Sequence, residues 1–219
     1  MKFEAILFDC DGVLVDSEPI TNGVLRDMLE EIGWSMSQDE CMRFFVGKTV
    51  RQESAAIEAH TGKPFSDDWL QAFYQRRNQA LMAGLEIIPG ALVAVQAAHA
   101  HTQGRIACAS GADRFKVEMQ LRQVGLAELF SGRVFSGHEM PRSKPAPDVY
   151  LAAAKALNAP PDQCLVIEDT TVGVTAGVAA GATVWAYCPR PEAGAALLQV
   201  GASRLFTHMA ELPAMLATH

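Results

Sequence analysis

Short, nearly continuous apolar runs recur along the chain, at residues 3–9, 105–110, 164–168 and 183–187. Runs of this length without polar alternation are typical of strands that are covered on both faces, as in a parallel sheet. Segments with helical periodicity lie between or after these runs, at residues 90–100, 113–124, 148–157 and 172–180. The alternation of strands and helices predicts an α/β fold with a doubly wound parallel sheet, in which ligands bind at the carboxyl ends of the strands.

Residues 17–86 have a different pattern, with no convincing strand and several amphipathic helical segments. One apolar stripe consists of Ile20, Val24, Leu25, Met28, Leu29 and Ile32, and part of another of Trp69, Leu70, Phe73, Tyr74, Leu81 and Met82. Stripes with this spacing indicate helices that bury one face. We therefore predict an all-helical domain at residues 17–86, inserted into a core formed by residues 1–16 and 87–219.

The charge pattern excludes several classes of partner. The 219-residue chain has a formal net charge of −7 and carries no basic stripe, so we expect no binding to nucleic acid or to an anionic membrane surface. The longest alanine-rich stretches, at residues 91–100 and 176–182, are interrupted by His, Gln or Gly well short of a membrane span. No membrane association is expected.

The first strand begins too early to leave room for a signal peptide, which predicts a cytoplasmic protein. The five cysteines lack the spacing of a zinc site. We expect them to be reduced and mostly buried.

Two acidic residues, Asp9 and Asp11, stand at the carboxyl end of the first apolar run. Alternation along a strand predicts that both side chains project to one side, while Cys10 turns towards the other face of the sheet. Two carboxylates in one site repel each other unless a cation or a shared proton relieves the repulsion. The repulsion pushes their pKa values apart, so that one group can act as a nucleophile and the other as an acid. If this motif stood alone in the chain, the alternative interpretation would be a strand that ends in a solvated acidic turn without a catalytic role.

Two further polar motifs precede predicted helices. Ser110 and Gly111 end the second run, where a hydroxyl and backbone N–H groups suit a phosphate, although Ser and Asp before a helix are more often N-caps. Lys144 lies between prolines, which restrict the backbone, just before a predicted helix, so it is a candidate site residue. The alternative is a lysine that is simply exposed to solvent. A loop that aims Lys144 inward makes the Lys144–Pro145 bond a candidate for the cis form.

A second pair of acids, Glu168 and Asp169, ends the run at residues 164–168. Helix capping by Asp169 or Thr170 is one explanation, metal ligation is another, and the two roles can coexist. Together with Asp9, these acids supply oxygen ligands of the type that Mg²⁺ takes.

The order of the motifs along the chain is Asp9-x-Asp11-Gly12 with Asp16, then Ser110, then Lys144-Pro145, then Glu168-Asp169 with Gly173. In this order and spacing, they resemble the four motifs of the haloacid dehalogenase superfamily. The helical segment after Asp16 resembles the C1-type cap of the phosphoglycolate phosphatase and β-phosphoglucomutase-like subgroup. The resemblance implies a Rossmann-like, doubly wound core with an inserted all-helical cap domain.

The resemblance also implies a role for each motif residue. Asp9 would attack phosphorus and carry an aspartyl-phosphate, and Asp11 would act as general acid and then as general base. Ser110 and Lys144 would hold the oxygens of the transferring phosphoryl group and stabilise the charge that is spread over them in the transition state.

The implied cofactor is Mg²⁺. Its expected ligands are the carboxylates of Asp9 and Asp169 and the backbone carbonyl of Asp11, with Glu168 in or near the coordination shell. The implied reaction is hydrolysis of a small phosphorylated metabolite, a sugar or sugar-acid phosphate, by a monomer or weak dimer.

Substrate selection is expected to lie with the cap. Its candidate contacts are Lys48, Thr49 and Arg51 in a loop-like stretch, and in the core Gly111 is a further candidate beside Ser110.

Two other functions stay open. The first is a β-phosphoglucomutase-type mutase, against which Thr21 counts because it stands near the position where the mutases carry a cap histidine. The second is a phosphorylation-responsive or phosphate-binding module without turnover, although receiver domains lack a helical insertion after the first strand. Asp11 argues against haloalkanoate dehalogenation, in which no alcohol has to be protonated.

Overall fold

The computed structural model describes residues 3–45 and 48–218. The chain divides into two compact units, one formed by Met1–Asp16 with Glu86–His219 and the other by Ser17–Leu85. The second boundary lies one residue before the predicted one. We call the first the core unit and the second the helical unit.

The core unit is built on one six-stranded sheet with the strand order β3-β2-β1-β4-β5-β6. The strands are β1 (Ala5–Phe8), β2 (Ile106–Ser110), β3 (Val134–Ser136), β4 (Cys164–Glu168), β5 (Thr183–Tyr187) and β6 (Arg204–Phe206). All neighbouring strands pair in parallel. The predicted α/β class with a doubly wound parallel sheet is confirmed.

Ten α-helices lie within the described part of the chain. In the helical unit they are α1 (Glu18–Glu31), α2 (Gln38–Phe45), α3 (Ser54–Thr61) and α4 (Asp67–Gly84). In the core unit they are α5 (Ala91–His101), α6 (Arg114–Gln123), α7 (Asp148–Ala156), α8 (Thr171–Ala179), α9 (Gly194–Gln199) and α10 (Leu212–Ala217). The bounds of α5 to α8 lie within one residue of their predictions. Among the described residues, no helix has both the length and the hydropathy needed to cross a bilayer.

Every residue of β1, β2 and β4 is buried, because helices cover both faces of the sheet. On one face, Leu7 and Val166 pack in one cluster with Val149 of α7 and Val174 of α8. On the other face, Phe8 meets Phe130 edge to face, with ring centroids 6.1 Å apart. An aromatic pair of this kind adds about 1 kcal/mol to the stability gained by burial.

The strand register brings three strand ends together. Phe8 of β1 is level with Cys108 of β2 and with Ile167 of β4. The residues that follow at the carboxyl ends of these strands therefore come to the same edge of the sheet, which is where the fold class locates its ligands.

The helical unit has its own apolar core. Helix α1 packs against α2 and α4, and the buried cluster contains Leu25, Met28, Leu29, Cys41, Phe45, Val50, Ile57, Leu70 and Phe73. Helix α4 begins at a capped terminus, where the Ser66 hydroxyl accepts a hydrogen bond from the backbone N–H of Trp69 at 3.1 Å. Such a cap satisfies one of the donors that a helix start leaves open.

The five cysteines are free and buried, as the sequence predicts.

Candidate active site

Lys144 joins two acids that come from different strands. Asp9 directly follows β1, and its backbone N–H donates to the Ile167 carbonyl of β4 at 3.0 Å. The Nζ atom of Lys144 lies 2.7 Å from Oδ1 of Asp9 and 2.7 Å from Oε1 of Glu168. All three side chains are at least nine-tenths buried. The structure therefore brings together three of the residues that the motifs predict to lie at this edge.

Tyr150 of α7 completes the surroundings of Lys144. Its hydroxyl accepts from Nζ at 2.8 Å and donates to Oε1 of Glu168 at 2.8 Å. Burial alone would lower the pKa of Lys144, but the charges of Asp9 and Glu168 outweigh it and hold that pKa well above its ordinary value. Lys144 is therefore a fixed positive charge. The Lys144–Pro145 peptide bond is cis, as predicted.

Both carboxylate oxygens of Glu168 are engaged by the protein. Oε1 accepts from Lys144 and Tyr150, and Oε2 accepts from the backbone N–H groups of Asp169 and Thr170 and from the Thr170 hydroxyl. Burial opposes ionisation of Glu168, yet Lys144 and these hydrogen bonds lower its pKa. Glu168 is thus held as an anion that orients Lys144.

The pKa of Asp9 is shifted in the opposite direction from that of Glu168. Burial first, and then the negative charges of Glu168 and Asp11, raise the pKa of Asp9 to about 7 against the attraction of Lys144. The single positive charge of Lys144 thus does not offset burial and the neighbouring acids, and the ionised form of Asp9 is disfavoured. A divalent cation would favour the ionised form of Asp9.

Asp11 pairs with a second lysine. Nζ of Lys116 in α6 lies 2.7 Å from both Oδ1 and Oδ2 of Asp11, and Nε2 of Gln120 donates to Oδ1 at 2.9 Å. Gln120 also accepts from Sγ of Cys10 at 3.6 Å. Cys10 and Asp11 thus share a partner on α6, whereas Asp9 contacts Lys144. These contacts fit the prediction that Cys10 turns away from Asp9, but the prediction that Asp11 projects to the same side as Asp9 is wrong. The reason is that β1 ends at Phe8 and the chain turns.

Ser110 and Gly111 lie in the turn between β2 and α6. The buried Ser110 hydroxyl accepts from the backbone N–H of Ala112 at 3.1 Å. The N-cap of α6 is Asp113, whose carboxylate accepts from the backbone N–H of Lys116 at 2.9 Å. Asp113, and not Ser110, is therefore the N-cap of α6. The Ser110 hydroxyl instead stabilises the turn that follows β2.

Two glycines allow close approaches at the site. Gly12 has a φ of 76°, and a Cβ atom there would lie 2.1 Å from Oδ2 of Asp169. A Cβ atom on Gly173 would lie 1.6 Å from Oε1 of Glu168. Neither position accepts a side chain without displacing an acid of the site.

Three carboxylates are arranged so that they can hold a cation. Oxygen atoms of Asp9, Glu168 and Asp169 lie within 4.8 Å of one another. An all-oxygen donor set of this kind suits Mg²⁺. Because Lys144 and the backbone engage Glu168, the set fits Mg²⁺ best with Asp9 and Asp169 as the carboxylate ligands and Glu168 as their neighbour.

The candidate substrate residues of the helical unit form local contacts. Nζ of Lys48 lies 3.3 Å from Oε1 of Glu53, and Arg51 lies 2.7 Å from Oδ1 of Asp67. The backbone N–H and hydroxyl of Thr49 donate to the Gln52 side chain at 2.9 and 3.0 Å. All three candidates are exposed.

Sequence reasoning missed three residues of the site, Tyr150, Lys116 and Gln120. Lys116 and Gln120 are four residues apart and buried beside Val117 and Leu121. A polar pair at this spacing on the apolar face of a helix is a signal that could have identified them. Nothing in the local sequence distinguishes Tyr150 from an ordinary core tyrosine.

Comparison with protein families matches residues 3–181 to haloacid dehalogenase-like hydrolases. The chain is 27% identical over 213 residues to 6-phosphogluconate phosphatase of Escherichia coli (strain K12), a match that covers 97% of this chain and 94% of that protein. It is 28% identical over 204 residues to a phosphorylated carbohydrates phosphatase of Thermotoga maritima, with coverage of 92% and 93%.

A solved structure with the same architecture is a haloacid dehalogenase (HAD) family hydrolase from Deinococcus radiodurans R1, which was crystallised with bound phosphate and sodium. It has a TM-score of 0.80 and 37% sequence identity, and the match covers 99% of this chain and 96% of that one. The family match spans most of the chain, including all four motifs, and the fold agrees. The chain therefore belongs to the haloacid dehalogenase-like hydrolases.

Proposed function

We propose that this protein is a Mg²⁺-dependent phosphatase that hydrolyses a small phosphorylated metabolite, a sugar or sugar-acid phosphate, through an aspartyl-phosphate on Asp9. The observation that carries the proposal is the buried Asp9 carboxylate, 2.7 Å from the Lys144 ammonium, with a second acid two residues further on. A nucleophile, a fixed positive charge and a proton carrier are the groups that phosphoryl transfer by covalent catalysis requires.

In the first step, an oxygen of the Asp9 carboxylate attacks phosphorus and the bond from phosphorus to the substrate oxygen breaks. The leaving alkoxide takes a proton from the Asp11 carboxyl group, so that the alcohol departs and Asp11 becomes a carboxylate. Lys144 and Ser110 hold the phosphoryl oxygens and stabilise the charge that is spread over them in the transition state. Because Nζ of Lys144 already contacts Asp9, it is within reach of a phosphoryl group bonded there.

In the second step, water attacks the phosphorus of the aspartyl-phosphate. One proton of the water passes to the Asp11 carboxylate, the bond between phosphorus and Asp9 breaks, and inorganic phosphate leaves. Both acids return to their starting states, so no other reactant is consumed. Asp9 and Asp169, with the Asp11 backbone carbonyl and Glu168 nearby, would hold Mg²⁺. When bound, the ion would supply positive charge that draws the phosphate towards Asp9.

The substrate class rests on the relatives. Those named above are a 6-phosphogluconate phosphatase and a phosphorylated carbohydrates phosphatase, and the Deinococcus protein was crystallised with phosphate and a cation. These names support a phosphorylated sugar or sugar acid as the substrate.

The test is a phosphate-release screen over sugar phosphates, sugar-acid phosphates and phosphoglycolate, with Mg²⁺ and with a chelator. We expect Mg²⁺-dependent release without any requirement for a sugar bisphosphate, and its loss in Asp9→Asn. Release at the wild-type rate from Asp9→Asn would rule out the aspartyl-phosphate. Phosphorylation for a single turnover without release would instead favour a phosphorylation-responsive module.

We further propose that Lys48, Thr49 and Arg51 contribute to substrate choice. The exposed pair of Arg51 with Asp67 contributes about 0–1 kcal/mol, so exchanging it for a substrate carboxylate or hydroxyl costs little. Arg51→Met is expected to raise KM for the best substrate about fivefold with little change in kcat. Arg76, in an exposed pair with Glu31 in the same unit, provides the matched control Arg76→Met. Equal effects of the two variants would contradict the assignment.

A further inference from the structure

We propose that Lys116 and Gln120 are positioning residues that orient Asp11 for proton transfer to the leaving group. This inference rests on the proposed function and deepens it. It assigns a task to two buried side chains of α6 that the four motifs do not include.

The contacts engage both oxygens of the Asp11 carboxylate. Lys116 donates to both oxygens at 2.7 Å, and Gln120 donates to Oδ1 at 2.9 Å. Three hydrogen bonds from two side chains fix the plane of a carboxylate as well as its position. If the carboxylate rotated about its bond to the rest of the side chain, the two donors, which are held on one helix, could not both keep their hydrogen bonds. Gln120 also distinguishes Oδ1 from Oδ2, so the two oxygens are not equivalent.

Asp11 needs such support because it lies outside the sheet. Strand β1 ends at Phe8, and the segment after it is a turn in which the backbone N–H of Leu14 donates to the Cys10 carbonyl at 2.9 Å. The Asp11 side chain remains about one-quarter exposed, whereas that of Lys116 is 7% exposed. The rigid partner in this pair is therefore the lysine on the helix, and the acid is the group that is oriented.

Helix α6 is well suited to hold the two donors. It begins directly after the Ser110 turn with an N-cap from Asp113, and Val117 and Leu121 on the same helix are buried. Lys116 and Gln120 are one helical turn apart, which places them on one face. A helix that is fixed at its start and along its apolar face sets the position of both donors.

The orientation matters for chemistry because general acid catalysis requires the proton within hydrogen-bond distance of the leaving oxygen. A loosely held Asp11 would still leave Asp9 free to attack. It would fail mainly with substrates whose leaving group is too basic to depart without a proton. Loss of Lys116 should therefore discriminate between substrates by leaving-group basicity, which a role in phosphate binding would not do.

The experiment compares phenyl phosphate with p-nitrophenyl phosphate, which are similar in size but differ in leaving-group basicity. The value of kcat/KM reports steps up to cleavage of the phosphate ester bond. In Lys116→Met, we expect kcat/KM for phenyl phosphate to fall about 30-fold or more and that for p-nitrophenyl phosphate to fall less than about threefold. Gln120→Leu removes one hydrogen bond and no charge, and should shift the same ratio in the same direction by about threefold.

A second readout separates the two chemical steps. For p-nitrophenyl phosphate, kcat also includes hydrolysis of the aspartyl-phosphate, in which Asp11 accepts a proton from water. We therefore expect kcat to fall more than kcat/KM in Lys116→Met, so that KM decreases. A purely structural defect would lower the amount of active enzyme and leave KM unchanged.

The control is Lys155→Met, which changes an exposed lysine of α7 and should leave both substrates unaffected. Equal losses for the two substrates in Lys116→Met would overturn the proposal, and so would unchanged kinetics. If Lys116→Met does not fold, Gln120→Leu decides, since an unchanged substrate ratio in that variant also overturns it. Failure of the proposed function looks different, because Asp9→Asn would then retain activity towards both esters.

Discussion

Lys144 carries one positive charge between two buried carboxylates, and this imbalance determines the electrostatics of the site. Glu168 is stabilised as an anion by five hydrogen bonds, whereas Asp9 has its pKa raised to about 7 by burial and by its negative neighbours. A cation bound beside Asp9 would favour the ionised form of this carboxyl group. Removing one partner of a buried ion pair typically costs about 3–5 kcal/mol, because the other charge is left without compensation.

Tyr150 allows this arrangement to be tested without removing a charge. Tyr150→Phe keeps the ring in the core and deletes only the hydroxyl that joins Lys144 to Glu168. We expect a loss of about 1–2 kcal/mol in the free energy of unfolding and a fall of about tenfold in kcat/KM, since Lys144 loses one of its three partners.

Chemical denaturation and phosphate-release kinetics measure the two effects. Tyr187→Phe is the matched control, because Tyr187 is also buried and in the core unit but has no part in the Lys144 contacts. An unchanged kcat/KM in Tyr150→Phe would show that Asp9 and Glu168 suffice to orient Lys144.

At the scale of elements, the site depends on how closely α8 approaches the end of β4. The helix starts at a cap in which the Thr170 hydroxyl accepts from the backbone N–H of Gly173 at 3.1 Å. The same hydroxyl donates to Glu168. The Thr170 hydroxyl thus links the start of α8 to Glu168. Gly173, which has no side chain, leaves the space that Glu168 occupies.

Alanine variants at two glycines of α8 distinguish this effect on Glu168 from a general loss of packing. Gly173→Ala would place Cβ 1.6 Å from Oε1 of Glu168, and Gly177→Ala would place it 2.8 Å from a methyl group of Val184. Both variants are expected to lose about 1–3 kcal/mol of stability through overpacking.

Only Gly173→Ala should also lose activity, by about tenfold or more in kcat, because Glu168 must move away from Lys144. Thermal denaturation and kinetics on the same preparations measure both properties. Equal kcat values for the two alanine variants would contradict a link between this helix and the site.

At the scale of the whole molecule, periodicity was enough to predict the central elements but not the edges. Strands β1, β2, β4 and β5 coincide with apolar runs, because they are buried on both faces. Strands β3 and β6 have three residues each and are partly exposed, so their sequence carries no run to detect. Their existence depends on pairing with a neighbour that is already in place.

The same distinction applies to the site. Asp9, Ser110 and Glu168 could be predicted to lie at the same edge of the sheet, because parallel strands carry their carboxyl ends there. The partners of Lys116, Gln120 and Tyr150 could not be predicted, because these contacts depend on how α6 and α7 are rotated against the sheet. The prediction that Asp11 projects to the same side as Asp9 failed because a strand rule was applied to a residue beyond the strand.

Metal binding should appear in the stability of the core unit as well as in catalysis. Asp9 and Asp169 follow different strands, so their carboxylates come together only in the folded state, and a cation that binds them opposes unfolding. At 100 times its dissociation constant, Mg²⁺ should add about 2.7 kcal/mol, or roughly 5–10 °C in Tm for a protein of this size.

The comparison is thermal denaturation with Mg²⁺ and with a chelator, in the absence of substrate. Asp169→Asn should abolish most of the shift, whereas Asp162→Asn, a change at an exposed acid before β4, should preserve it. A full shift in Asp169→Asn would place the cation elsewhere. This measurement needs no turnover, so it tests the proposed metal site independently of the identity of the substrate.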